Sequence, residues 1–169
     1  MKHVPYVLAM LVALVFGVAR AEGAAGKERG ELAKAMATAK VSLEAGLAAI
    51  TAEGKPISAK FEMEDGKLQL SVYTEKDAKF SEVIVDHQTG KVVKTEGITE
   101  GEDLSAAKTQ SAAMAKAKSS LKDAVGKATA AHGGSLAVSV VPKLRHGRST
   151  ADVTLVKGKE WKTVTEKLD

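Results

Sequence analysis

A chain of 169 residues with no cysteine has no disulfide framework, no thiol nucleophile and no sulfur for lipid attachment, so its fold must stand on a packed core alone. It holds 25 Lys and Arg against 21 Asp and Glu, and only 4% of its residues are aromatic, too few to interleave with the bases as nucleic-acid binding requires. The charge is unevenly spread. Residues 22–103 carry 11 basic against 16 acidic residues and residues 104–169 carry 12 against 5, which suggests either attraction between the halves or a basic face for an acidic partner.

Lys2 and His3 precede an apolar run from Tyr6 to Val18, and Ala19-Arg20-Ala21 has the small-x-small form of a cleavage site. The run is shorter than the roughly 20 residues a membrane span needs. Residues 1–21 are therefore expected to be a signal peptide cleaved after Ala21, leaving a secreted or periplasmic chain with no membrane span.

Residues 22–29 read as a loose lead-in, followed by one helix over residues 31–52. Met36, Ala39, Leu43, Leu47 and Ile50 step by three and four, which puts them on one helix face, and Gly54 and Pro56 end the helix. The same stripe returns 78 residues later as Met114, Ala117, Leu121, Val125 and Ala128. Ala37/Ala115, Lys40/Lys118, Ser42/Ser120 and Ala52/Ala130 are identical in that register. Shared residues off the stripe point to one unit used twice.

Ile57, Ala59, Phe61 and Met63 alternate with polar residues, the pattern of a half-buried strand, and Asp65-Gly66 suits a two-residue hairpin turn. That turn predicts Met63 opposite Leu68, Phe61 opposite Leu70 and Ala59 opposite Val72. Strands follow over residues 80–85 and 91–95. The acid-rich residues 97–104 read as a linker. Beyond it Ser105 is expected to cap a second helix running to Ala131. Leu136, Val138 and Val140 then repeat the first strand, given a one-residue insertion beside His132, and Pro142 closes it. Residues 143–148 form a longer, basic loop, and two further strands finish a second unit one strand shorter than the first.

The first unit ends in Val-Ile-Val-Asp86-His-Gln-Thr89-Gly90-Lys91-Val-Val, and this closing hairpin resembles the signature of the PepSY family. In the second copy Val156 stands where Asp86 would fall. The resemblance implies an α+β fold of two tandem repeats, each one helix packed on a small antiparallel sheet (α-β-β-β-β, then α-β-β-β). The units are residues 22–96 and a divergent 105–169. It implies a role in inhibiting or regulating peptidases and names no active residues. Asp86, Thr89, Gly90 and Lys91 are expected to be structural, with Asp86 capping the turn and Gly90 in the left-handed position.

His87, His132 and His146 lack a second ligand at metal-binding spacing, and no nucleophile elbow, phosphate loop or zinc-helix motif occurs. The chain reads as a non-enzymatic module without metal or cofactor, docking on another secreted or envelope protein such as a peptidase. The candidate contacts are Lys143, Leu144, Arg145, His146 and Arg148 in the basic loop, with Tyr73 presenting a ring on the outer sheet face. The alternative is an envelope protein that holds a small anionic ligand or an anionic surface against its basic second unit. Oligomeric state is not encoded in any feature of the sequence.

Overall fold

A computed structural model describes residues 22–169, so the expected signal peptide lies outside the described residues. Where the sequence predicts one helix over 31–52, the chain forms two: α1 (Glu22–Met36), which takes in the supposed loose lead-in, and α2 (Leu43–Ala49). The break belongs to Ser42. Its hydroxyl accepts the Ala45 N–H at 3.2 Å, and the preceding N–H groups of Lys40 and Val41 donate to the His87 carbonyl at 2.9 and 3.0 Å. A serine that caps satisfies donors a continuous helix would leave to other carbonyls, so the chain restarts there. Met36, Leu43, Leu47 and Ile50 are nevertheless buried as the stripe requires, and Ala39 is half-buried.

The second helix breaks in the same way, into α3 (Gly101–Met114) and α4 (Leu121–Ala131). Ser120 and Asp123 form a reciprocal capping box, and Lys118 and Ser119 donate their N–H groups to the Leu168 carbonyl. Ser105 is thus inside α3 and does not cap it. The expected linker is nearly absent, because strand β4 (Val92–Ile98) runs to within two residues of α3.

β1 (Lys55–Glu64) and β2 (Lys67–Lys76) pair in the predicted register, Met63 with Leu68, Phe61 with Leu70, Ala59 with Val72. Asp65 and Gly66 both have positive φ, 49° and 73°, as the tight turn demands. β3 (Lys79–Val85) lies between β2 and β4. In the second half β5 (Leu136–Arg145), β6 (Arg148–Lys157) and β7 (Glu160–Lys167) form an antiparallel meander. Residues 143–148 are therefore no long loop. Strands β5 and β6 run to a two-residue turn, His146-Gly147, with φ of 50° and 78°. Pro142 does not end β5; it pairs with Ala151, beyond the residues that β5 shares with β1, where a missing N–H breaks no ladder.

All seven strands join one sheet in the order β4-β3-β2-β1-β5-β6-β7. The meander β5-β6-β7 has the order and pairing of β1-β2-β3, and β4 has no equivalent in the second half among the described residues. A bulge between Pro56 and Ser58 recurs between Ala137 and Ser139, 81 residues on. At the seam Ala59 pairs with Val140, its own counterpart, as a twofold arrangement about the centre of the sheet requires. The helix breaks are offset by 78 residues and the strands by 81, so the insertion after α4 is three residues and not one. β3 is covered on its outer side by β4, whereas no strand among the described residues covers β7.

Ala59, Phe61, Leu70 and Val72 face α2, whose Gly46 approaches so closely that a Cβ would stand 2.6 Å from Leu70 Cδ2. α4 lies beside α2, with the Thr129 hydroxyl donating to Glu44 Oε1 at 3.2 Å. α3 reaches the opposite face. There the Ser58 hydroxyl donates to Gln110 Oε1 at 2.7 Å, Ser111 donates to Glu75, and Lys55 Nζ donates to the Met114 carbonyl at 3.1 Å.

Candidate functional site

The β5–β6 hairpin tip brings the five basic-loop candidates together, but not as five solvent-directed groups. Arg145 forms a two-pronged pair with Asp152, Nη1 to Oδ1 and Nη2 to Oδ2 both at 2.8 Å, and Lys143 Nζ lies 2.9 Å from Asp152 Oδ2. Thr165 donates to the same carboxylate at 2.8 Å. Burial alone would raise the Asp152 carboxyl, but the donors from Arg145, Lys143 and Thr165 outweigh it and hold the group well below the carboxylate range. Two of the cations are thus committed to one acid. Leu144, 41% exposed, His146 and Arg148 form the outward part of the tip, with Arg148 Nε 3.9 Å from the Asp169 carboxylate.

Asp86 Oδ1 accepts the N–H groups of Gln88 at 2.7 Å and Thr89 at 2.9 Å, and Gly90 sits at φ 75°. Those backbone donors hold the Asp86 carboxyl below its ordinary value. The turn they shape presents the His87 carbonyl to Lys40 and Val41, and the Gln88 amide donates to the Thr38 carbonyl at 2.7 Å. Thr89 and Lys91 complete it, the Lys91 N–H lying 3.4 Å from Thr89 Oγ1. The closing hairpin is thus a clasp on the break between α1 and α2.

Alternation places Tyr73 on the outer sheet face, yet the ring is not presented to solvent. It is 2% exposed, and its hydroxyl donates to Glu82 Oε1 at 3.3 Å. Lys60, ion-paired with Glu62, stands 5.7 Å from the ring centroid, and Ser71 donates to Glu62 at 3.1 Å. Burial, then the nearby Glu82 charge, lifts the Tyr73 hydroxyl far above its usual range. Burial also raises the Glu82 carboxyl, with Glu62 adding to the shift while the Ser71 and Tyr73 hydroxyls and Lys60 oppose it. Asp103 of α3 reaches this cluster electrostatically, and its Oδ1 has no hydrogen-bond partner among the described residues. Sequence reasoning missed the network because the first turn of α3, which carries Asp103, was read as linker, and no local pattern places the rest of that helix against the strands of the first half.

A second feature absent from the sequence reading is a cleft of about 890 Å³ between α1 and the β6–β7 turn. Gly26, Gly30 and Ala33 leave room on the helix side, Gly158 and Trp161 on the sheet side, and Arg29 lies 5.5 Å from the Trp161 ring centroid. Lys34 and Lys159 stand at its rim. Among the described residues no group of three His, Asp or Glu side chains could hold a metal ion, and no helix is long and apolar enough to cross a membrane.

No curated protein matches the chain. Among solved structures, a candidate lipoprotein of Clostridium difficile 630 matches at 16% identity and a TM-score of 0.40, over 70% of this chain and 78% of that one. Residues 31–96 match the family described as Peptidase propeptide and YPEB domain, a span that takes in α2, the first three strands, most of β4 and the Asp86 clasp. The likeness to the PepSY family is thus carried by residues 31–96, within the first half of the molecule.

Proposed function

We propose that the chain is an exported, non-catalytic module that docks on a secreted or envelope protein and regulates it, a peptidase being the class its family points to. The PepSY match at residues 31–96 carries this reading, since the family is described by peptidase propeptides. The contact is assigned to the β5–β6 tip, with Leu144, His146 and Arg148 as its reaching groups and Lys143 and Arg145 as the pair that stiffens it through Asp152. A hairpin held this way loses little freedom on docking.

The test is hydrolysis of a peptide substrate by a thermolysin-like metallopeptidase with the chain in molar excess. Inhibition that falls when Leu144, His146 and Arg148 are changed to Ser supports the reading. Full activity against a panel of exported peptidases, together with no captured peptidase from an exported-protein fraction, sinks it. The basic cleft beside Trp161 favours a second reading, in which the chain holds an anionic ligand. Such binding weakens steeply with added salt, while docking through Leu144 does not.

A further inference from the structure

We infer that the free edge of β7 is a docking site for an extended acidic segment of the partner protein, which would add an eighth strand to the sheet. The inference rests on the docking function proposed above and supplies a route for it. The occupant is indicated by the molecule itself. In the first half, the edge of β3 is covered by an antiparallel strand, β4, whose Ile98, Glu96 and Lys94 pair with Phe80, Glu82 and Ile84. The counterparts of those three residues, 81 positions on, are Trp161, Thr163 and Thr165, and no strand among the described residues pairs with them on that side. Counted from the two-residue turn Gly158-Lys159, these residues and Lys167 direct N–H and C=O outward, while the alternate residues bond to β6.

The sheet has two edges, and they differ. β4 joins β3 through a bulge between Ile84 and Val85, carries Gly97, and lays the Lys94–Glu96 ion pair along itself, all devices that discourage a further strand. β7 is paired with β6 over eight residues without a register shift, and its centre is Thr163-Val164-Thr165. It is a regular template of the kind that strand addition uses. The cleft beside Trp161 opens at the start of this edge and offers a pocket for one side chain of the incoming strand. Lys159, Lys162 and Lys167 outnumber Glu160 and Glu166 along it, and across the cleft Lys27, Arg29 and Lys34 outnumber Glu31. Acidic flanks on the strand match that balance.

The probe is a fluorescein-labelled peptide of alternating Glu and Val, about seven residues long to match β4, compared with one in which Lys replaces Glu. The expected result is saturable binding of the acidic peptide and slowed exchange of the Trp161, Thr163, Thr165 and Lys167 amides. Thr163→Pro, which removes an outward donor, is expected to weaken binding about tenfold or more with the melting temperature little changed. Should that variant melt early, the double variant Lys162→Glu, Lys167→Glu tests the same edge by abolishing the preference for the acidic peptide. Protection at β4 instead, binding unaffected by both variants, or self-association through β7 without peptide would each overturn the inference. Peptidase inhibition retained in full by Thr163→Pro would remove this edge as the contact and leave the docking function standing. Peptide binding at β7 without inhibition of any peptidase would do the reverse.

Discussion

Equivalent sheet positions in the two halves carry opposite electrical characters on the same geometry. Glu62, Glu64 and Ser71 correspond to Lys143, Arg145 and Asp152, so an acidic patch with one lysine becomes a basic tip with one aspartate. Tyr73 and Glu82, a buried pair under α3, correspond to half-buried Thr154 and exposed Thr163, whose hydroxyls lie 3.3 Å apart. The strand skeleton tolerates these exchanges because it is fixed elsewhere, by the bulges, the two-residue turns and the capped helix breaks. What differs is the cover. The first half has β4 on its edge and α3 over its outer face, and the second half keeps its edge open.

The largest effects should fall on the shared skeleton. Leu43→Ala and Leu121→Ala remove counterpart leucines that are 1% and 2% exposed, and each is expected to cost about 2–5 kcal/mol. Both should lower one common unfolding transition in a denaturant titration. Two separate transitions would show that the halves are independent domains despite their shared sheet.

The helix exits come next. Gly54 has φ 141°, and a Cβ there would stand 2.8 Å from the Glu75 carbonyl oxygen, so Gly54→Ala should cost about 3 kcal/mol. Gly134, at φ 81°, would meet only the movable end of Lys157, and Gly134→Ala should cost about 1 kcal/mol. Equal losses in melting experiments would contradict the closer packing assigned to the first half.

The charged sites should differ in sign. Asp152→Asn removes the acid shared by Lys143 and Arg145, which are half exposed and can rehydrate, so a loss of about 1 kcal/mol is expected at neutral pH. Because the folded protein lowers the Asp152 pKa, its contribution is present above the ordinary 3.8 and disappears as pH falls below it. Glu82 behaves oppositely. Its pKa is raised, so the folded state holds the proton more tightly, and stability falls as pH rises above the ordinary 4.5 toward the folded value. Glu82→Gln should remove that slope while changing stability at neutral pH by no more than about 1 kcal/mol. Stability curves from pH 3 to 8 on the two variants check both signs, and identical curves would refute the contrast.

Legibility followed the range of the interactions. The β1–β2 register could be read because Asp65-Gly66 admits one short turn and every apolar residue then meets another. The stripes of Leu43 and Leu121 were equally plain. The helix breaks were hidden because alanine-rich sequence favours helix on either side of Ser42 and Ser120, and their partners, His87 and Leu168, are distant in the chain. Tyr73 was placed on the correct face, but its burial depends on α3 crossing from the other half, which no local pattern reports. Pro142 misled for a related reason, since it interrupts a strand only where both neighbours are present. Of the candidate contacts, the basic tip was visible from composition, while the β7 edge emerges only from comparison with β3.

The reach of α3 also bears on survival among proteolytic enzymes. Its Gln110, Ser111 and Met114 are bonded to strands of the first half, and residues 99–100 are the short covalent crossing from β4 to α3. A cut there would sever the covalent thread yet free neither piece, since both remain interlocked through sheet and helix; the nicked material should still elute from a sizing column as one particle. A single cut at this crossing would thereby leave the assembled sheet intact.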